Sequence, residues 1–139
     1  MKLRLTKEFA FEMAHALTGY DGKCSNLHGH NYRLFVTVEG EPIADPNSAK
    51  KGMVVDFGEL KRIVEQTIVE PFDHALVISV DSPFNTGLPT KTVVVDFQPT
   101  SENLLMHFAQ LLEGKLPANA KLYSMKLYET ETSCAELIV

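Results

Sequence analysis

Cys24-Ser25-Asn26-Leu27-His28-Gly29-His30 is the point at which a loop becomes a strand. Gly19, Asp21, Gly22, Ser25 and Asn26 crowd the residues around Cys24, and such a cluster is loop chemistry. From His28 to Glu39 the pattern changes. His28, His30, Tyr32, Leu34, Val36 and Val38 share one phase of a two-residue period, which is the period of a strand. Two imidazoles therefore stand side by side on the apolar face. Upstream, Leu3, Leu5, Phe9, Phe11 and Met13 alternate with Arg4, Thr6, Glu8 and Glu12, and His15 continues the apolar row. Two strands joined by one loop thus present three histidines on apolar faces, with a thiol in the loop between them.

The rest of the chain supplies further strands and two helices. Gly40 to Gly52 is rich in turn residues, and Met53-Val54-Val55 is a short extended piece. Asp56 reads as an N-cap with Glu59 as its capping-box partner. Leu60, Ile63, Val64, Thr67 and Ile68 follow at helical spacing, and Pro71 predicts the end of that helix. Residues 75–80 and 92–97 read as strands around Pro83, Asn85, Gly87 and Pro89, either as an extra hairpin or as an extension of the sheet. Pro99-Thr100-Ser101-Glu102 opens a second helix with Leu105, Phe108 and Leu112 on its apolar face, closed by Gly114 and Pro117. Residues 121–129 and 135–139 are the last strands. This order predicts one α+β domain over residues 1–139, with two helices on one face of an antiparallel sheet.

Composition narrows the function classes. The chain has 139 residues, 45% of them hydrophobic, enough for an ordinary core. Its formal net charge of −5 argues against nucleic-acid binding, which needs clustered Lys and Arg. No apolar run is long enough to span a membrane, and no secretory signal region opens the chain. Cys24 and Cys134 are too few for a disulfide framework, so the expected setting is the reducing cytoplasm.

Three neutral histidines hold zinc and leave one position open, the layout of a catalytic site. A lone inward histidine is most simply a hydrogen-bonded core residue. Three in phase would each carry a buried polar group needing a partner, at roughly 1–3 kcal/mol apiece when unsatisfied. A metal bound by His15, His28 and His30 removes that cost. Zinc is preferred to iron because no carboxylate completes a facial triad at this spacing, while copper and nickel stay open as alternatives. Cys24, near a cation, would favour thiolate and serve as a general base or as a fourth ligand. Asp73-His74 forms a direct pair if a turn follows Pro71. Glu129 ends an apolar row and needs either solvent or a partner with adjacent N–H donors, with Glu131 in the same phase as the fallback. His107 and Cys134 carry no chemical signal beyond packing.

Together these residues resemble the 6-pyruvoyl-tetrahydropterin synthase / 6-carboxytetrahydropterin synthase family. Phe11-Glu12-Met13-Ala14-His15 looks like its first metal-ligand segment, and the stretch from Cys24 to His30 matches its cysteine, three-residue gap and His-Gly-His signature. Residues 52–61, Phe72-Asp73-His74, Pro99-Thr100-Ser101-Glu102-Asn103 and Tyr128-Glu129-Thr130 follow in the family's order. The resemblance implies a tunnelling fold, with a four-stranded antiparallel sheet and two helices, assembled into homo-oligomers (trimers or hexamers) with active sites between subunits. It implies Zn2+ on His15, His28 and His30, Cys24 as general base, Asp73 and His74 as the partner relay, and Glu129 on the pterin ring edge. The implied substrate is dihydroneopterin triphosphate. The implied product is 6-carboxytetrahydropterin, in a route to deazapurines such as queuosine, or alternatively the 6-pyruvoyl pterin. A non-catalytic pterin- or metal-binding module is the reading from another class. Lys23, Lys50 and Lys51 are candidates for the triphosphate by charge alone.

Overall fold

The computed structural model describes residues 1–139. Strands β1 (Leu3–His15) and β2 (His28–Gly40) form the long antiparallel centre of one sheet. Their register sets His15 opposite His28 and Met13 opposite His30. The two-residue phase read from the sequence is therefore the phase of the fold, and the histidines gather at the end of the pair where the Cys24 loop joins the strands.

The helical run after Asp56 comprises α1 (Phe57–Val64), a π-helical turn (Glu65–Val69) and the short α2 (Glu70–Phe72). Asp56 caps it by accepting from the Gly58 N–H at 2.8 Å. The backbone of Glu59 also bonds the Asp56 carboxylate, in keeping with the capping reading, and Lys50 pairs with it as well. Pro71 sits in the first turn of α2, where a missing N–H costs little, and the run ends one residue later than Pro71. The remaining elements are β3 (Ala75–Ser79), β4 (Thr92–Val95), α3 (Ser101–Leu112), β5 (Ala120–Thr130) and β6 (Ser133–Ile138).

The sheet has six strands in the order β4-β3-β1-β2-β5-β6, so the expected four-stranded antiparallel sheet is corrected to a larger, mixed one. Of the two readings of residues 75–97, a hairpin or an extension of the sheet, the structure has the extension. β3 runs parallel to β1, and β4 runs parallel to β3. Residues 80–91 carry the chain back to start β4 in the same direction, a connection about as long as parallel strands require. The 75–97 segment thus extends the sheet past β1.

Apolar side chains fill one face. Phe9, Phe11 and Met13 of β1 and Tyr32, Leu34 and Val36 of β2 pack against Leu60, Val64, Ile68 and Phe72. Leu104, Leu105, Phe108 and Leu112 of α3 complete the cluster. Phe108 lies edge-on to Phe72 and Phe11, at centroid distances of 5.0 and 6.2 Å. Each such fully buried side chain is worth about 1.5–3 kcal/mol relative to exposure. His107, one residue away, packs its ring near Phe72 and Phe97, a structural role. The opposite face carries polar pairs, including Thr6 with Thr37 at 2.7 Å and Arg33 with Glu8 at 3.3 Å. No helix is long and apolar enough to cross a membrane.

Candidate metal centre and active-site cleft

His15 is fully buried, and its Nε2 lies 3.0 Å from His28 Nε2. The proton on each ring is fixed from behind. His15 Nδ1 sits 2.8 Å from the Pro99 carbonyl, and His28 Nδ1 sits 2.6 Å from the Asn26 carbonyl. A carbonyl only accepts, so both Nδ1 atoms donate, and in the neutral rings both Nε2 atoms present lone pairs. Two lone pairs at that distance repel unless a cation lies between them. Carbonyl partners of this kind are what metal-binding histidines commonly have behind them.

His30 completes the group. Its Nε2 is buried and has no hydrogen-bond partner. Desolvation pulls its pKa below the ordinary histidine value, against the attraction of Glu129, so the neutral, ligating form is favoured. The ligand atoms of His15, His28, His30 and Glu129 all lie within 4.8 Å of one another. Glu129 Oε1 is 3.2 Å from His15 Nε2 and 3.1 Å from His30 Nε2. The β5–β6 register slips between Tyr128 and Thr130, and such an irregularity re-aims a side chain. His15 is the first cause lowering the Glu129 pKa below the usual glutamate value, an effect that needs a proton on its Nε2; with a lone pair there instead, carboxylate and imidazoles face one another as acceptors and share the need for a cation.

This placement corrects one premise. A carboxylate does accompany the histidines, delivered by a strand far along the chain, and spacing within β1 and β2 has no means of showing it. Three imidazoles and one carboxylate fit a divalent transition metal, zinc included. Tyr32 lies beneath the group with its hydroxyl buried and unpaired, and burial raises its pKa far above the usual tyrosine value.

Cys24 lies in a short helical turn, Lys23–Ser25, partly buried and reduced. It is outside the group of four potential ligands. Cys134 is exposed on β6 and also free.

Asp73 and His74 lie where the chain leaves α2 to enter β3. His74 Nδ1 is 2.9 Å from Asp73 Oδ1. The turn this pair requires is a left-handed backbone at His74, φ 57°, a conformation that costs roughly 1–2 kcal/mol for a residue with a Cβ. β1 holds it there: the His74 N–H donates to the Glu12 carbonyl at 2.5 Å, and the Glu12 N–H donates to Asp73 Oδ1 at 3.0 Å. That backbone donor is the main reason the Asp73 carboxyl is held below the usual aspartate pKa. Glu12 Oε2 approaches the other side of the ring at 3.8 Å.

His30, Asp73, His74, Glu129 and Glu131 line one cleft of about 700 Å³, within the range of small-molecule sites. Cys24 and His15 do not line it. Of the lysines singled out by charge, Lys50 is paired with Asp56.

The α+β fold thus sets a histidine and carboxylate group able to hold a metal ion near a cleft lined by an Asp–His pair, the layout of an enzyme scaffold. The profile of the 6-pyruvoyl tetrahydropterin synthase family matches residues 4–138. A 6-carboxy-5,6,7,8-tetrahydropterin synthase of Haemophilus influenzae is 39% identical, over 96% of this chain and 96% of its own. A 6-pyruvoyl tetrahydrobiopterin synthase of Pongo abelii is 38% identical, over 81% of this chain and 68% of its own. The solved structure of the Caenorhabditis elegans 6-pyruvoyl tetrahydropterin synthase superposes with a TM-score of 0.70 at 27% identity, covering 100% of this chain and 96% of that one. The chain belongs to the 6-pyruvoyl tetrahydropterin synthase family, a family of pterin-processing, lyase-type enzymes.

Proposed function

We propose that this chain is a zinc-dependent 6-carboxy-5,6,7,8-tetrahydropterin synthase. Its substrate is 7,8-dihydroneopterin triphosphate and its products are 6-carboxytetrahydropterin, acetaldehyde and triphosphate. The observation that supports the choice within the family is 39% identity sustained over 96% of both chains with the Haemophilus influenzae enzyme, against 38% over a shorter span with the Pongo abelii protein and 27% end to end with the Caenorhabditis elegans one. Such a product feeds the synthesis of deazapurines such as queuosine, and the reducing cytoplasm is the setting that suits two free thiols.

Zinc held by His15, His28 and His30 would supply Lewis acidity to the hydroxylated side chain of the substrate. The chain's own groups do the rest. Cys24 takes a proton from the activated side chain as its thiolate. His74, oriented by Asp73, returns a proton, and its wide exposure suits transfer at the cleft mouth, with 73% of its side chain accessible. Glu129, ionised and lining the cleft, accepts from the adjacent N–H groups of the pterin edge. Atom balance requires one water, whose oxygen ends in the carboxyl group. No external reductant is needed, because the ring is reduced at the expense of the side chain. The sheet ends at β4 and β6, and such edges are where neighbouring copies add to form a homotrimer or hexamer.

Product analysis tests the reading. Zinc-loaded protein incubated with dihydroneopterin triphosphate is expected to give a 6-carboxy pterin and acetaldehyde in equal amounts by mass spectrometry. A 6-pyruvoyl pterin without acetaldehyde would assign the other product class. Unchanged substrate, with metal shown to be bound, would leave a binding module.

A further inference from the structure

Thr18 follows β1 and opens the loop that carries Cys24. Its main chain has no strand partner. The Gln98 side-chain amide takes that place at both ends. The Thr18 N–H donates to Gln98 Oε1 at 2.9 Å, and Gln98 Nε2 donates to the Thr18 carbonyl at 2.8 Å. A primary amide offers one acceptor and a donor side by side, so it matches an extended residue as another strand would. One residue earlier, the Leu17 N–H donates to the Cys24 carbonyl at 2.8 Å and closes the loop on Cys24 itself.

Gln98 is itself held in place. Its carbonyl accepts from Asn103 Nδ2 at 2.9 Å and from the Thr100 N–H at 2.8 Å, at the start of α3. The next residue, Pro99, gives its carbonyl to His15 Nδ1. One short segment before α3 therefore grips both a buried histidine of the metal centre and the root of the Cys24 loop. Pro99 serves the histidine. The Gln98 side chain makes its hydrogen bonds to Thr18.

We propose that Gln98 is a positioning residue for Cys24: its amide clamp on Thr18, passed on through the Leu17–Cys24 bond, fixes where the thiol stands relative to the histidine centre. The name given to Cys24's task rests on the pterin synthase reading; the clamp does not. Gln98→Leu removes both hydrogen bonds at similar volume. Gln98→Glu keeps the acceptor, loses the donor and sets a carboxylate oxygen against the Thr18 carbonyl.

The test is site-resolved alkylation of the metal-loaded full-length protein by iodoacetamide, read by mass spectrometry. Cys134, exposed on β6, is the internal reference. Losing two hydrogen bonds frees the loop, and the Cys24 to Cys134 rate ratio is expected to rise about tenfold in Gln98→Leu. Gln98→Glu should rise as well. Metal content should stay at the native level, and kcat for pterin conversion should fall with little change in KM. A Cys24 ratio equal to the native one would overturn the proposal, even if the variant melts earlier, because a purely structural glutamine lowers stability without moving that ratio. Metal loss with an unchanged ratio would overturn it too. The alkylation needs no substrate, so a native protein that converts no pterin would count against the proposed function and leave this test intact.

Discussion

His30→Ala is expected to leave a folded chain with almost no bound metal and no measurable pterin turnover. The side chain sits at the rim of the core, where the sheet opens into the cleft, so its loss does not unpack the cluster around Phe108 and Leu34. What it removes is one of three convergent nitrogens. Altering a partner one layer out from a metal typically costs about 10–100-fold in affinity or activity, and loss of a ligand should cost more. Remaining contacts from His15, His28 and Glu129 keep the group polar and poised, but with a single free position too many. Metal analysis after dialysis and a thermal melt check this together. Retention of one equivalent of metal by His30→Ala would mean that the converging nitrogens are not the ligand set.

The second large effect concerns Cys24. Cys24→Ala is expected to keep its metal and its melting temperature while kcat falls by about 10²–10⁴, the usual worth of a positioned general base. The geometry separates this outcome from a ligand role, because Cys24 is outside the group formed by the three histidines and Glu129. Full turnover by Cys24→Ala would remove the base assignment. Loss of metal from it would make the thiol a ligand. Single-turnover kinetics beside metal analysis distinguishes the two.

What could be read from the chain follows from which signals are local. The phase of β1 and β2 is a nearest-neighbour pattern, and it alone puts His15, His28 and His30 on one face. Helical spacing from Leu60 to Ile68 and around Phe108 was equally plain. Strand direction is not local. Residues 75–80 and 92–97 look the same whether they pair antiparallel as a hairpin or lie parallel beside β1, and only the length of the connection hints at the second. Glu129 was visible as a carboxylate on an apolar row. Its approach to the histidines depends on an irregular register between β5 and β6, and no side-chain pattern announces that.

The groups behind the centre were the least legible. Asn26 and Pro99 act through main-chain carbonyls, so their side chains carry no sign of the task. Gln98 acts across 80 residues of sequence on a backbone segment that is itself featureless. Asp73-His74 lies between these cases. The pair was evident, but the left-handed turn that joins it arises from β1 supplying the Glu12 peptide to both residues.

Three histidine nitrogens are proposed to make an open centre, with the thiol of Cys24 standing apart as a base. X-ray absorption at the zinc edge of the loaded native protein should show a shell of nitrogen and oxygen scatterers alone, at about 2.0–2.1 Å, with the outer scattering of imidazole rings. A sulfur scatterer at about 2.3 Å would instead place Cys24 on the metal, close the site, and rule out its role as a free base.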